Sequence, residues 1–218
     1  MPASIEIRDL DQQDLPAIAS IHMLAFPGSA LTALGASAVR RYYEWQLMGP
    51  HDVSALGAFY ENEMIGFCFG GVFRGAMSGF LRKNRVYLAW LVLSHPWHVA
   101  NPLFRDRLIN GLKVLHRFSK PGRKNRPNQI QKKPSFGILS IAVNPEFQGL
   151  GAGKVLMMES EAIARRQGFD EMNLTVSPDN HQAIRFYDSL GWRKTTRGSV
   201  WSGEMVKTLS INRSVTSC

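Results

Sequence analysis

A chain of 218 residues that is 44% hydrophobic can bury a sizeable core, and its length suits one domain carrying an insertion. Its cysteines, Cys68 and Cys218, are too few for a disulfide framework and lack metal-ligand spacing, so a reducing cytosol fits. The longest apolar run, residues 86–93, falls far short of the roughly 20 residues that cross a bilayer, and the start Met-Pro-Ala-Ser-Ile-Glu-Ile-Arg has no apolar signal core, so no secretory signal is expected.

The net charge of +9 is unevenly placed. Residues 74–133 hold 14 Lys or Arg against one acid, Asp106, a local charge of +13 that leaves the rest of the chain at −4. A basic insertion is set in a mildly acidic body.

In chain order, residues 4–10 alternate Ile5 and Ile7 with polar neighbours, the pattern of a half-buried strand. Asp14 followed by Pro16 marks a helix start, a capping residue with proline in the first turn. Ile18, Ile21, Leu24 and Ala25 continue that helix until Phe26-Pro27-Gly28. A second helix is predicted over residues 32–48, and Gly49-Pro50 breaks it. Residues 53–60 and 64–73 read as a hairpin around Glu61-Asn62-Glu63. The insertion is expected to hold helical pieces at residues 84–94 and 102–118, followed by a polar, proline-punctuated loop. Residues 138–143 are nearly unbroken in apolar character and suit a strand buried on both faces. The helix after them pairs Glu161 with Arg165 and stops at Gly168. Met172, Leu174 and Val176 alternate in another strand, Ser177-Pro178-Asp179 opens a last helix closed by Gly191, and residues 192–194 and 200–207 are closing strands.

Between the strand at 138–143 and its helix lies Asn144-Pro-Glu-Phe-Gln-Gly149-Leu-Gly151-Ala-Gly153-Lys154. Glycines at this density let consecutive N–H groups point one way, and the helix adds its unpaired first-turn N–H groups and positive dipole end, so a phosphate or pyrophosphate is the natural guest. A nucleotide P-loop does not fit, because its first glycine position is Gln148 and Lys154 is followed by Val155. The dinucleotide fingerprint fails as well, since its third glycine is missing.

The stretch resembles motif A of the GNAT superfamily of acetyl-CoA-dependent N-acetyltransferases, Gln/Arg-x-x-Gly-x-Gly/Ala, which Gln148-Gly-Leu-Gly151-Ala-Gly153 matches at every specified position. A second family signal follows at the right distance as Asn180-His-Gln-Ala183-Ile-Arg-Phe186-Tyr187-Asp-Ser-Leu-Gly191-Trp192. The resemblance implies an α/β fold with a mixed, twisted sheet (α+β), the GNAT acyl-CoA N-acyltransferase fold. It would form one domain over residues 1–209, with a basic, partly helical insertion at 74–134 between the third and fourth strands and a polar tail at 210–218. By the same resemblance, the strand at 138–143 splays from that at 172–176 and the pantetheine arm of CoA lies in the opening. The pyrophosphate would rest on the backbone of Gln148, Gly149, Leu150, Gly151, Ala152 and Gly153, and the backbone of Ile141, Ala142 and Val143 would hold the arm and thioester. Lys154, Asn180 and Phe186 complete the implied cofactor-binding set. Tyr187 would face the departing sulfur, where a phenol can protonate the thiolate as an amine attacks the acetyl carbonyl directly. Acetyl-CoA is then a co-substrate, and no metal and no covalent intermediate are required.

Other readings stay open. The glycines also suit a plain tight connection, and Tyr187 suits an apolar helix face with Phe186 and Leu190. Histone-type members carry a glutamate base at a position that is Gly137 here, so the amine proton must leave through water, Ser140, or a group such as Glu44, His22 or His98. A lone histidine is more often packed or solvated than a base. Cys68 reads as a small core residue. Tyr42, Tyr43 and Trp45 lie on the second helix, which by the resemblance forms one wall of the acceptor site; two of them filling the core is the plain reading, and a mixture with at least one facing the acceptor is the favoured one. The insertion is a solvated excursion, a reader of a phosphate-bearing acceptor, or a peripheral membrane contact through residues 80–133, where Phe80, Tyr87, Trp90, Trp97 and Phe104 interleave with Arg82, Lys83, Arg85, Arg105 and Arg107. Nucleic acid is disfavoured, since no stacking or groove-reading motif is present.

The expected activity is therefore acetyl transfer to a primary amine in the cytoplasm, at the inner membrane surface if the insertion docks there. Residues 26–35 followed by Tyr42-Tyr43 look like GNAT proteins of amino-sugar or surface-polysaccharide metabolism. Acetylation of protein N-termini, and a silent CoA-binding module docked on a membrane or partner, are the alternatives. Oligomeric state is left open.

Overall fold

Two strands rich in aromatic and small residues, β2 (Asp52–Tyr60) and β3 (Glu63–Val72), pair antiparallel around Glu61 and Asn62. The φ angles of 49° and 67° at these two residues supply the left-handed turn that a two-residue hairpin needs. β1 (Glu6–Asp9) joins the outer side of β2, and β4 (Phe136–Val143) joins β3, both antiparallel. β5 (Glu171–Thr175) runs parallel to β4, and β7 (Glu204–Thr208) and β6 (Arg193–Lys194) complete a seven-stranded sheet of order β1-β2-β3-β4-β5-β7-β6. The computed structural model describes residues 4–94, 135–196 and 201–209. The expected α/β fold with a mixed sheet is the one observed.

Each face of the sheet carries its own core. On one face lie α1 (Leu15–Ala25), α2 (Ala30–Ala33), α3 (Ala36–Met48) and α4 (Ala76–Lys83), packed over Ala55, Phe59, Phe67, Phe69 and Ala142. On the other lie α6 (Ala152–Arg166) and α7 (His181–Ser189), packed over Leu56, Ala58, Ile65, Ile138 and Leu174. Fully buried side chains such as Phe67, Phe69, Leu156 and Met157 anchor these layers, each contributing about 1.5–3 kcal/mol by leaving water.

A bulge in β4 decides which residues face which layer. Phe69 pairs with Ser140 but Gly70 pairs with Ile138, so Leu139 is an extra residue. One inserted residue reverses the phase of everything beyond it. Ala142 therefore packs with α1 and α3, whereas Ile141 and Val143 pack toward α6.

Several predicted boundaries move. Asp11, not Asp14, caps the first turn, accepting from the Gln13 N–H at 2.6 Å, while Asp14 returns to the Asp11 N–H at 3.0 Å and pairs with Arg8 at 3.3 Å. Leu24 is 52% exposed, because the buried face of α1 runs through Leu15, Ile18, Ile21 and His22. The helix predicted over 32–48 is two helices, separated at Gly35, whose φ is 89°. The last helix begins after Asn180 rather than at Ser177, since Asn180 is the residue whose side chain caps it. In the insertion, α4 was not foreseen and α5 (Arg85–Ser94) matches the piece predicted at 84–94. The piece predicted at 102–118 lies outside the described residues, as does the tail from residue 210. Val86 and Trp90 on α5 are exposed beside the exposed cations Arg82, Lys83 and Arg85. Among the described residues no helix is long and apolar enough to cross a membrane.

Candidate functional site

β4 and β5 share only three register pairs, Phe136 with Met172, Gly137 with Asn173 and Ile138 with Leu174. Past Ile138 the two parallel strands separate, and β4 continues to Val143 with no strand on that side among the described residues. At the end of β4 the side chain of Asn144 accepts from the Glu146 N–H at 3.2 Å and starts a short 3-10 turn, Pro145–Phe147. Gly149 and Gly151 follow, each with φ of 90°. L-residues resist that conformation, and it is what brings the chain round into α6. The N–H of Val155 makes the bond to the Gly151 carbonyl at 3.1 Å. The N–H groups of Ala152, Gly153 and Lys154 precede it and have no partner within their own helix, so they and the dipole face whatever lies before the helix.

A cavity of 490 Å³ occupies this place. Ile141, Ala142 and Val143 line it from β4; Gln148, Gly149, Gly151, Ala152, Gly153 and Lys154 from the turn and α6; and Asn180, Phe186 and Tyr187 from α7. Leu150 alone of the predicted set is not in the lining, and its side chain is 51% exposed. Ala25, Phe26, Phe147 and Gln182 also line the cavity and were not foreseen. Ala25 and Phe26 arrive from the end of α1, far away in the chain and within no motif.

The arrangement is apolar along β4 and rich in backbone donors at α6, which suits a long ligand with an apolar arm and a doubly anionic end. A Cβ built at Gly149 or Gly151 would meet nothing within 4 Å, and one at Gly153 would stand 3.5 Å from Phe186, so the turn has room in front of it. Tyr187 is buried, with its ring 5.3 Å from Phe186 and 6.0 Å from Trp192. Burial raises its pKa, so the phenol keeps its proton throughout the neutral range.

The base candidates are dispersed. A side chain at Gly137 would crowd the Asn173 carboxamide, whose oxygen lies 3.3 Å from a Cβ built there. Glu44 is not part of the cavity lining, and His98 lies outside the described residues. Neither Tyr42 nor Tyr43 is open to an acceptor: both are buried in the core, and Trp45 stacks edge-on against His51 with centroids 5.4 Å apart. The Tyr43 hydroxyl instead meets Ser140 Oγ at 3.0 Å and His22 Nδ1 at 2.9 Å. Cys68 is a core residue whose sulfur accepts from Ser160 at 3.3 Å, with its thiol pushed up to about 12 by burial. Among the described residues no cluster of three His, Cys, Asp or Glu side chains could hold a metal.

His22 is 6% exposed, and burial lowers its pKa from 6.5 to about 4. Between those values the unfolded chain binds a proton that the folded chain refuses, so stability is full above pH 6.5 and falls as the pH drops toward 4. The expected loss at pH 5 from this one group is about 2 kcal/mol. Urea titrations at pH 7 and pH 5 should show that this part of the acid sensitivity disappears in His22→Gln. An unchanged difference would mean that His22 titrates normally in the folded chain.

The model of the Acetyltransferase (GNAT) family matches residues 118–192, a stretch that holds β4, the glycine turn, α6, β5 and α7. Over these residues the chain is similar to the GNAT family. The chain is 30% identical to a mycothiol acetyltransferase of Saccharomonospora viridis over 96 residues, which is 44% of this chain and 31% of that protein. It thus spans about a third of the length of that curated relative. Its fold is that of the PaiA N-acetyltransferase of Thermoplasma acidophilum, solved in complex with coenzyme A (TM-score 0.55, 17% identity, 94% of this chain and 99% of that one). The ribosomal-protein-S18-alanine N-acetyltransferase of Escherichia coli is similar to the same degree (TM-score 0.55, 16% identity, 99% and 100%).

Proposed function

We propose that this chain transfers acetyl from acetyl-CoA to a primary amine by direct attack. The observation that carries the reading is the single cavity in which the splayed end of β4, the glycine turn at the start of α6, and Tyr187 meet. Pyrophosphate is held on the N–H groups of the turn and the first turn of α6, where fixed donors and the helix dipole stabilise it without side-chain charge. The unpaired edge of β4 at Ile141–Val143 receives the amides of the pantetheine arm as a strand would. That edge points the thioester toward α7. The amine attacks the acetyl carbon, the carbon–sulfur bond breaks, and Tyr187 supplies the proton that the sulfur takes. Asn180 caps α7, its carboxamide oxygen accepting from the Ala183 N–H at 3.0 Å, and so fixes the helix that carries Tyr187 while lining the cavity itself.

A small-molecule amine is the acceptor class placed first, in keeping with the mycothiol acetyltransferase relative. A protein N-terminus is placed second. The test is thiol release from acetyl-CoA against a panel of amino sugars, other small primary amines, and peptides with free N-termini. CoA at a hundred times its Kd is expected to stabilise the fold by about 2.7 kcal/mol, and at least one amine is expected to accelerate thiol release. Tight CoA binding with no amine-dependent release would replace this reading by a silent CoA-binding module.

A further inference from the structure

Over its ten residues α5 carries a single charged side chain, that of Arg85. At 3.6 residues per turn, Arg85, Ala89, Leu93, Val86 and Trp90 fall in that order within an arc of about 140°, and all five are exposed. The large apolar ones stand well clear of the fold, with Val86 76%, Trp90 61% and Leu93 79% exposed. The opposite face holds the helix in place. Leu88 packs against the core that contains Tyr42, Phe69 and Phe80, and the Tyr87 ring lies under the Arg41 guanidinium, 4.5 Å from the ring centroid. A surface helix normally turns polar residues to water, whereas here the outward stripe is apolar beyond its first residue.

Positive charge is set at one end of this stripe. Arg82 and Lys83 close α4, Arg85 opens α5, and all three are exposed. The joint between the two helices is fixed by Asn84, which is buried: its side chain donates to the Phe80 carbonyl at 3.1 Å, and its own carbonyl accepts from the Leu88 N–H at 2.9 Å. Cations and stripe are therefore held in one arrangement. Among the described residues no carboxylate pairs with Arg82, Lys83 or Arg85, and the sequence has no Asp or Glu between Glu63 and Asp106.

We propose that α5 and the end of α4 form a docking surface for a membrane whose headgroups are anionic. Val86, Trp90 and Leu93 enter the boundary between headgroups and acyl chains, where an indole, with its apolar body and polar N–H, is at home. Arg82, Lys83 and Arg85 meet the headgroup phosphates. Shallow apolar insertion and charge attraction are each marginal by themselves, and together they hold a protein at a membrane. A second copy of this chain suits the surface poorly. It would bring the same three cations face to face, and one side of a helix about 15 Å long offers much less than the roughly 800 Å² per partner that a stable interface buries.

The test is co-sedimentation of the full chain with vesicles of phosphatidylcholine alone and of phosphatidylcholine mixed with phosphatidylglycerol, a measurement that needs no turnover and so stands apart from the acetyl-transfer reading. The wild type is expected to bind the mixed vesicles, to leave phosphatidylcholine vesicles in solution, and to be released as salt is raised. Replacing Arg82, Lys83 and Arg85 together by Gln should weaken binding about fivefold for each cation removed. Val86→Ser, Trp90→Ser and Leu93→Ser combined should weaken it at least about tenfold and leave the urea midpoint where it was, because those side chains already face water. Equal binding to both vesicles, or none to either, would overturn the proposal. So would an apolar variant that binds the mixed vesicles as tightly as the wild type, since charge would then act without α5. A lower urea midpoint in that variant would show the stripe covered within the chain, and a solution dimer that the variant splits would show it covered by a second copy; either result replaces the membrane as the occupant.

Discussion

Tyr187→Phe is expected to lower the rate of acetyl transfer by about 10²–10⁴-fold, the range that a positioned proton donor contributes. Phenylalanine fills the same space beside Phe186 and Trp192, so the loss is that of one hydroxyl and acetyl-CoA affinity should hardly change. Burial raises the phenol pKa, so its protonation does not vary across the neutral range and the loss should be the same at each pH there. Single-turnover measurement is the right check, because product release can limit kcat and hide a slowed chemical step. A single-turnover rate equal to that of the wild type would remove Tyr187 from the reaction and leave it as a core aromatic.

The second large effect is expected at the glycine turn. Gly151 is exposed with φ of 90°, and a Cβ there would meet nothing within 4 Å. Asn and Asp tolerate this left-handed conformation better than other side chains, and they differ from one another by a single charge. Gly151→Asp sets a carboxylate where the pyrophosphate is proposed to lie. At about 5 Å and an effective dielectric of about 20, two like charges repel by about 3 kcal/mol, reduced by solvent at an exposed turn. The expected result by calorimetric titration is CoA affinity lower on the order of a hundredfold in Gly151→Asp, with Gly151→Asn within a few-fold of the wild type. Equal losses in the two would point to backbone strain as the cause. No loss in either would place the anion elsewhere.

The glycine turn and its flanks were readable because their geometry is local. A run of apolar residues, Asn144-Pro145, glycines at 149 and 151 and an amphipathic helix each act within a few residues, and the structure shows a strand, a 3-10 turn, two left-handed glycines and α6 in that order. The Glu61-Asn62 hairpin and the Glu161–Arg165 pair at 3.3 Å were readable for the same reason. Helix ends were less so. Several residues near each end can cap, and tertiary packing selected Asp11 over Asp14 and Asn180 over Ser177.

What the residue order settled is the character of each segment: which stretches are strands, where the backbone must turn left-handed, and that donors converge at the start of α6. Packing settled the rest. Periodicity tells which residues share a face but not which distant face they meet, and one extra residue in β4 reverses the parity of all that follow. That reversal places Ser140 beside Tyr43, 97 residues away in the chain, and Tyr43 in turn reaches His22, 21 residues away. No spacing rule connects such positions. The glycine turn proposed to hold the anion follows from local chemistry, whereas the polar chain behind β4 exists only because two helices and a bulged strand are pressed together.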